Sequence, residues 1–217
     1  MSGWKDAFKP PAVEPVYRLT EIFRSVQFEG YWSGTVAWFI RFAGCNLNCP
    51  WCDTPKGKIF EVPLTQLLAL EDFRNQTVIL TGGEPTLQEL LPLVDALRAQ
   101  GARIRLETNG ILPQQMEKLR SMGIWITWSP KSIEHWNITY GHYLVQDLVD
   151  EIKVICGTLQ PEQLVFCSEV ANKWYCRKYM QPCETNGEFN FKQAFEFCVK
   201  HPEWRISFQV QKLLGIK

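Results

Sequence analysis

Val36-Ala37-Trp38-Phe39-Ile40-Arg41-Phe42-Ala43 runs directly into Gly44-Cys45-Asn46-Leu47-Asn48-Cys49-Pro50-Trp51-Cys52-Asp53-Thr54. The first half is nearly continuous in apolar and aromatic residues, as a strand covered on both faces must be. The second half sets three cysteines in eight residues, spaced C-x3-C-x2-C. Thiolates packed so closely can hold a metal centre, and here they supply three ligands. Zinc with three protein ligands keeps an open, catalytic position, whereas structural zinc motifs close with a second pair that does not follow here. An iron–sulfur cluster held by cysteine at every iron but one leaves that iron for a ligand from outside. Buried structural thiols have no reason to gather on a loop rich in Asn and Pro.

Strand and helix alternate around this stretch. Residues 1–16, with Lys9-Pro10-Pro11 and Glu14-Pro15, read as a poorly ordered lead-in to one domain over 17–217. Leu19 to Gly30 reads as an extended piece entering a glycine-punctuated turn. After Pro63, Leu64 to Phe73 is expected as a helix. Further strands are expected at Thr77–Thr81, Arg103–Glu107, Ile124–Trp128, Glu151–Cys156, Trp174–Met180 and Arg205–Val210. Between them fall a helix with Leu87, Leu90, Leu91, Val94 and Leu97 on one face, and another marked by Met116, Leu119 and Met122. A final helix is expected to turn Phe191, Phe195 and Cys198 one way. Trp136, Tyr140, His142 and Tyr143 read as a loop or short insertion. This order predicts an α/β fold, a partial TIM-type barrel of about six parallel βα units. Each strand ends in a Gly-, Pro- or charge-bearing cluster, and ligands of such sheets sit at the carboxyl ends of the strands.

The chain has 217 residues, 46% of them hydrophobic, with 23 basic and 23 acidic side chains. That balance advertises no polyanionic partner, so no nucleic acid is expected. No apolar run approaches a membrane span, and the first residues lack the charged-then-apolar pattern of a signal, which points to the cytoplasm and away from membranes. Eight cysteines in a chain of this length, three of them on one loop, fit a reducing compartment. Cys156, Cys167, Cys176, Cys183 and Cys198 lack ligand spacing and read mostly as small core residues. His135, His142 and His201 have no nucleophile to serve and are taken as surface residues. Gly82-Gly83-Glu84-Pro85 lets backbone approach a ligand closely, with Glu84 able to accept from a ligand ammonium group. Arg41, inside an apolar strand, either forms a structural ion pair, with Glu107 the suggested partner, or grips a substrate carboxylate through its planar fork.

The cysteine run followed one unit later by Gly-Gly-Glu resembles the radical S-adenosylmethionine (SAM) superfamily. A more specific likeness follows. Glu21-Ile-Phe with Ser25-Val-Gln-Phe-Glu-Gly30, Phe39-Ile-Arg-Phe42 and Cys49-Pro-Trp-Cys-Asp-Thr54 resemble the 7-carboxy-7-deazaguanine synthase family. So do Thr81-Gly-Gly-Glu-Pro85, Leu106-Glu-Thr-Asn-Gly110, Ser129-Pro-Lys131, Gln181-Pro182 and Arg205-Ile-Ser-Phe-Gln209. The resemblance implies a homodimeric radical SAM lyase that contracts the ring of 6-carboxy-5,6,7,8-tetrahydropterin to 7-carboxy-7-deazaguanine with loss of ammonia, on the way to queuosine-type 7-deazapurines. It implies a 4Fe–4S cluster on Cys45, Cys49 and Cys52, Mg2+ on Thr54, and an electron donor such as flavodoxin or ferredoxin. SAM would lie against Trp51, Cys52, Asp53, Gly83, Glu84, Ser129, Pro130, Lys131, Gln181, Pro182, Cys183 and Glu184. The pterin would lie against Val26, Gln27, Phe28, Arg41 and Thr81, with Glu29 and Glu107 as hydrogen-bond partners. No side chain is assigned as catalytic, because the SAM-derived radical carries the chemistry.

Three positions depart from the family pattern. Phe28 stands where a glycine is usual, the closing Gln-Thr-His-Lys reads Gln209-Val210-Gln211-Lys212, and the chain ends in Lys217 rather than proline. Two rival readings remain at this point. A glycyl-radical-enzyme activase shares the cysteine spacing, but many carry further ferredoxin-type cysteine runs that are missing here. A non-enzymatic metal or redox module leaves Gly-Gly-Glu-Pro, Ser-Pro-Lys and the Arg41 strand without a purpose.

Overall fold

A computed structural model describes residues 13–54, 57–134, 145–157, 161–185 and 188–216. The strands are β1 (Val16–Gln27), β2 (Thr35–Phe42), β3 (Phe60–Pro63), β4 (Thr77–Gly82), β5 (Arg103–Thr108), β6 (Trp125–Trp128), β7 (Glu151–Ile155), β8 (Arg177–Gln181), β9 (Glu184–Thr185), β10 (Glu188–Phe189) and β11 (Arg205–Ile206). Among the described residues nine of them form one sheet in the order β11-β8-β7-β6-β5-β4-β2-β1-β3, and β9 and β10 form a separate small hairpin. From β2 to β11 all neighbours are parallel. Strands β3 and β11 stand at opposite edges, so the barrel stays open.

The expected parallel βα units are joined at one edge by antiparallel pairs. Strand β1 runs antiparallel to both β2 and β3. The turn joining β1 to β2 is too short for the crossover that a parallel pair needs, which leaves a hairpin. Several boundaries also shift. The helix at Leu64 stops at Leu70, where Glu71 turns extended. The next helix is Leu91–Ala99, preceded by a 3-10 turn at Pro85–Leu87 that leaves Leu87 exposed. On Phe191–Lys200 the buried face is Ala194 and Phe197, while Phe195 is exposed. The last strand is only Arg205–Ile206, and a short helix, Val210–Leu214, follows it. His201 is not a free surface group, since its ring stacks on Phe197 at 4.4 Å and its Nδ1 lies 3.4 Å from Ser168 Oγ. His135, His142 and the aromatic insertion lie outside the described residues.

The core between sheet and helices is built from the outward positions of the strands, Ile40, Phe42, Val78, Leu80, Ile104, Leu106 and Ile126. They meet Leu90, Leu93, Val94, Leu97, Met116 and Leu119 of the helical side, all nearly or fully buried. Burying each such side chain contributes about 1.5–3 kcal/mol.

The turn after β1 caps the amino-terminal end of the barrel. Tyr31 stacks on Trp125 at 5.3 Å, Arg177 lies 3.9 Å over Tyr31, and Arg105 lies 3.9 Å over Trp32. The Tyr31 backbone N–H donates to Glu151 Oε2 at 2.8 Å. Burial pushes the Glu151 carboxyl up to about 7, only partly offset by that hydrogen bond and by Lys153. A carboxyl raised on folding stabilises the fold while protonated, and that stability is lost as pH climbs from the usual 4.5 through 7. Glu151→Gln should therefore raise Tm relative to the parent at pH 8 more than at pH 5. The two pH values should differ by about 1–3 kcal/mol, read from denaturant titrations at each. An effect independent of pH would mean that Glu151 does not titrate between pH 5 and pH 8.

Candidate active site

The carboxyl ends of β2, β4, β5, β6, β7 and β8 open on one cavity of about 350 Å³. Cys45, Cys49 and Cys52 line its rim, with Trp51, Asp53 and Thr54 of the same loop. Cys45 and Cys52 are exposed and Cys49 is half-buried. The loop is shaped by local bonds. The Cys52 N–H donates to Cys49 O at 3.1 Å, the Leu47 N–H points to Cys45 Sγ at 3.4 Å, and Asn109 Nδ2 donates to Asn46 Oδ1 at 2.9 Å. Among the described residues no three Cys, His, Asp or Glu side chains converge as a single metal ion would need. Three separated thiols facing one cavity suit a cluster, whose irons sit at separate corners, better than one tetrahedral ion. Of the other cysteines whose side chains are described, Cys156 and Cys176 are buried, Cys198 is half-buried, and Cys183, also half-buried, lines the same cavity.

The Gly82-Gly83 pair is pressed against the start of the cysteine loop. Gly83 N–H donates to Phe42 O at 2.9 Å and Glu84 N–H to Gly44 O at 2.8 Å. A Cβ on Gly83 would collide with the Gly44 carbonyl, and one on Gly82, at φ 126°, would collide with the Phe42 backbone. Glu84 does not line the cavity, which corrects its expected contact with a ligand ammonium group. Its side chain is wholly buried. Oε1 accepts from Thr86 N (3.1 Å), Thr86 Oγ1 (2.5 Å) and Thr108 Oγ1 (2.6 Å), and Oε2 accepts from Asn109 N (2.7 Å). A carboxylate so fully engaged braces the loops instead of meeting a ligand.

Arg41 lines the cavity on the inward face of β2, and its ion-pair partner is Glu21, directly opposite on β1, not Glu107. Arg41 Nε donates to Glu21 Oε1 at 2.8 Å, and the guanidinium lies 5.6 Å over Phe23. The next rung is Phe23 stacked on Phe39 at 5.0 Å, also on the cavity wall. Val26, Gln27, Glu29, Thr81 and Glu107 line the same space, whereas Phe28 does not. The Phe28 carbonyl accepts from Ser33 Oγ at 3.0 Å, so its backbone serves the turn.

Across the cavity, Ser129 and Lys131 line the wall and Pro130, though buried, does not. Lys131 Nζ donates to Ser129 Oγ, and Ser129 Oγ in turn to Lys153 O, both at 2.9 Å. Burial holds the Lys131 amine below the usual lysine range. Gln181 lines the cavity, held by Ser207 Oγ at 3.0 Å, with Cys183 beyond it. Pro182 and Glu184 do not line it, because the chain leaves after Cys183 into the β9–β10 hairpin, where Glu184 is exposed.

Sequence reasoning missed Lys153, Glu21, Gln209, Gln211 and Lys212 as wall residues. For Lys153 a signal existed, a lysine inside the apolar run Ile152–Ile155. The others come together only by tertiary closure. Gln209 and Gln211 Nε2 each donate to Glu29 Oε1 at 3.0 Å, and Lys212 Nζ lies 2.7 Å from Asp53 Oδ2. Burial opposes ionisation of Asp53, but Lys212 and Gln209 keep it below the usual carboxylate range.

The glycine contact is directly testable. Gly83→Ala should push the cysteine loop away from β4, lower stability by about 1–3 kcal/mol and reduce reconstituted iron and sulfide per chain. Full iron content with an unchanged Tm would show that the contact at Gly44 is loose.

Comparison with known proteins agrees with this geometry. The model of the radical SAM superfamily matches residues 39–153. The 7-carboxy-7-deazaguanine synthase of Haemophilus influenzae is 31% identical over 218 residues, covering 94% of this chain and 96% of that protein. The enzyme of the same name from a Synechocystis species is 34% identical, covering 93% and 94%. The crystal structure of QueE from Escherichia coli superposes with a TM-score of 0.68 at 26% identity, over 89% of this chain and 94% of that one. With the three-cysteine loop, the glycine turn against it and the Arg41 wall all facing one cavity, the chain belongs to the radical SAM superfamily and, within it, to the 7-carboxy-7-deazaguanine synthase family.

Proposed function

We propose that this chain converts 6-carboxy-5,6,7,8-tetrahydropterin to 7-carboxy-7-deazaguanine and ammonia, as a radical SAM carbon–nitrogen lyase of 7-deazapurine biosynthesis. One observation carries the reading: the thiol rim and a wall holding both a guanidinium and carboxylates face a single cavity. When bound, a 4Fe–4S cluster on Cys45, Cys49 and Cys52 supplies the electron for reductive cleavage of SAM, the source of the radical that takes hydrogen from the pterin. The chain's own part is to bind, orient and exclude water. Trp51, Asp53, Gly83, Ser129, Lys131 and Gln181 are the SAM-facing groups. Arg41 gives Nε to Glu21 and, among the described residues, has two terminal nitrogens left for the substrate carboxylate, a fork that matches it bidentately.

Thr54 is assigned to Mg2+. Its hydroxyl proton goes to Gly82 O at 2.9 Å, which would leave its oxygen lone pairs for a hard cation. Such an ion would hold the substrate carboxylate beside Arg41. The working form is proposed to be a cytoplasmic homodimer reduced by a flavodoxin or ferredoxin. Among the described residues no helix is long and apolar enough to cross a membrane.

The deciding experiment is an anaerobic assay with SAM, a reductant and the carboxytetrahydropterin, which should yield 7-carboxy-7-deazaguanine. Cys45→Ala, Cys49→Ala and Cys52→Ala should each abolish the 4Fe–4S spectrum while Cys176→Ala keeps it. The reverse pattern would overturn the ligand assignment. Arg41→Lys should keep its cluster and its uncoupled SAM cleavage while losing pterin binding worth about 2–5 kcal/mol. If it loses the cluster or the fold instead, Arg41 serves only its pair with Glu21. Turnover of metal-free enzyme should rise on adding Mg2+, and Thr54→Ala should blunt the rise. Equal turnover with and without Mg2+ would remove the ion from the mechanism.

A further inference from the structure

Lys153 sits on β7 with a side chain only 5% exposed, yet it lines the cavity. Its Nζ lies 2.5 Å from Glu29 Oε2 and 3.2 Å from Glu107 Oε2. Burial alone would strip its charge, but the two carboxylates hold its pKa above the usual lysine range. An ammonium carries three N–H donors, and these two bonds account for two of them. The carboxylates differ in how far they are used. Glu29 Oε1 already accepts from Gln209 and Gln211. Among the described residues, Glu107 Oε1 accepts only from Gln27 Nε2, at 2.7 Å, and its side chain is 24% exposed against 13% for Glu29. A carboxylate offers about four lone-pair sites, so Glu107 keeps acceptor capacity toward the cavity.

This wall therefore offers an acceptor, Glu107, beside a donor, Lys153. The pattern is complementary to a 2-amino-4-oxopyrimidine edge, which shows N–H donors at the 2-amino group and N3 next to a carbonyl acceptor at C4. We propose that Lys153 is a specificity residue: it donates its third N–H to the C4 oxygen of the pterin while Glu107 accepts from the 2-amino and N3 positions. The assignment rests on the pterin reading above. It also explains why a lysine is kept inside an apolar strand, where an unpaired charge would be costly.

The test uses cluster-loaded protein with SAM and measures equilibrium binding, by dialysis, of 6-carboxypterin and of its 2,4-diamino counterpart. The counterpart replaces the C4 acceptor by a donor and the N3–H donor by an acceptor, so the part due to Lys153 is read as the difference between the parent and Lys153→Met. The parent should prefer the 4-oxo compound about tenfold or more, since a buried donor left without its acceptor is penalised. In Lys153→Met the preference should shrink about fivefold or more, the remainder coming from N3 facing Glu107, with the loss falling on the 4-oxo compound. Lys153→Gln, neutral but still a donor, should keep part of it, and SAM binding should be unchanged in both. A parent that binds both compounds equally, or a folded Lys153→Met that retains the full preference, overturns the role of Lys153 and leaves the pterin reading standing. A parent that binds neither compound overturns the pterin reading and this inference with it.

Discussion

The site depends on a contact between backbones. Where β4 ends, Gly82 and Gly83 lie against Phe42 and Gly44, close enough that a single Cβ would force them apart. The absence of side chains lets the two strand ends hydrogen-bond directly, which sets the height of the cysteine loop over the cavity. Glu84 then locks the arrangement. Its carboxylate binds the 3-10 turn through Thr86 and the end of β5 through Thr108 and Asn109. Asn109 in turn reaches Asn46 beside Cys45. A buried carboxylate without a cation is costly unless it is hydrogen-bonded, and here every bond it makes is to a segment that shapes the cysteine loop.

Charge inside the cavity is handled by pairing. Arg41 faces Glu21, Lys153 faces Glu29 and Glu107, and Lys212 faces Asp53. Each pair joins different parts of the chain, so each positions a wall as well as neutralising it. Partly buried pairs of this kind gain specificity of arrangement more than net stability. Such a cavity suits a polar, anionic substrate, because its groups are already oriented before anything binds. The closing segment from Gln209 to Lys212 does the same for an open barrel. With no strand among the described residues to join β3 to β11, side-chain bonds to Glu29 and Asp53 fasten the carboxyl-terminal end over the cysteine loop.

What the amino-acid sequence determined by itself was most of the alternation of strands and helices, the side of the sheet that carries the site, and the run of three cysteines at the cavity. These are local properties: periodicity, turn residues and ligand spacing are all legible within a dozen positions. The parallel run from β2 onward followed from alternation alone. What only the tertiary structure decided concerns partners far apart in the chain. Strand β1 paired antiparallel with β2, Arg41 paired with Glu21 rather than Glu107, and Glu84 turned inward to Thr108 and Asn109. Lys153 was visible as a lysine in an apolar strand, but its partners were not, because Glu29 lies 124 positions away and Glu107 lies 46. Side-chain pairing inside a barrel depends on strand order and register, and no pattern within one segment carries those.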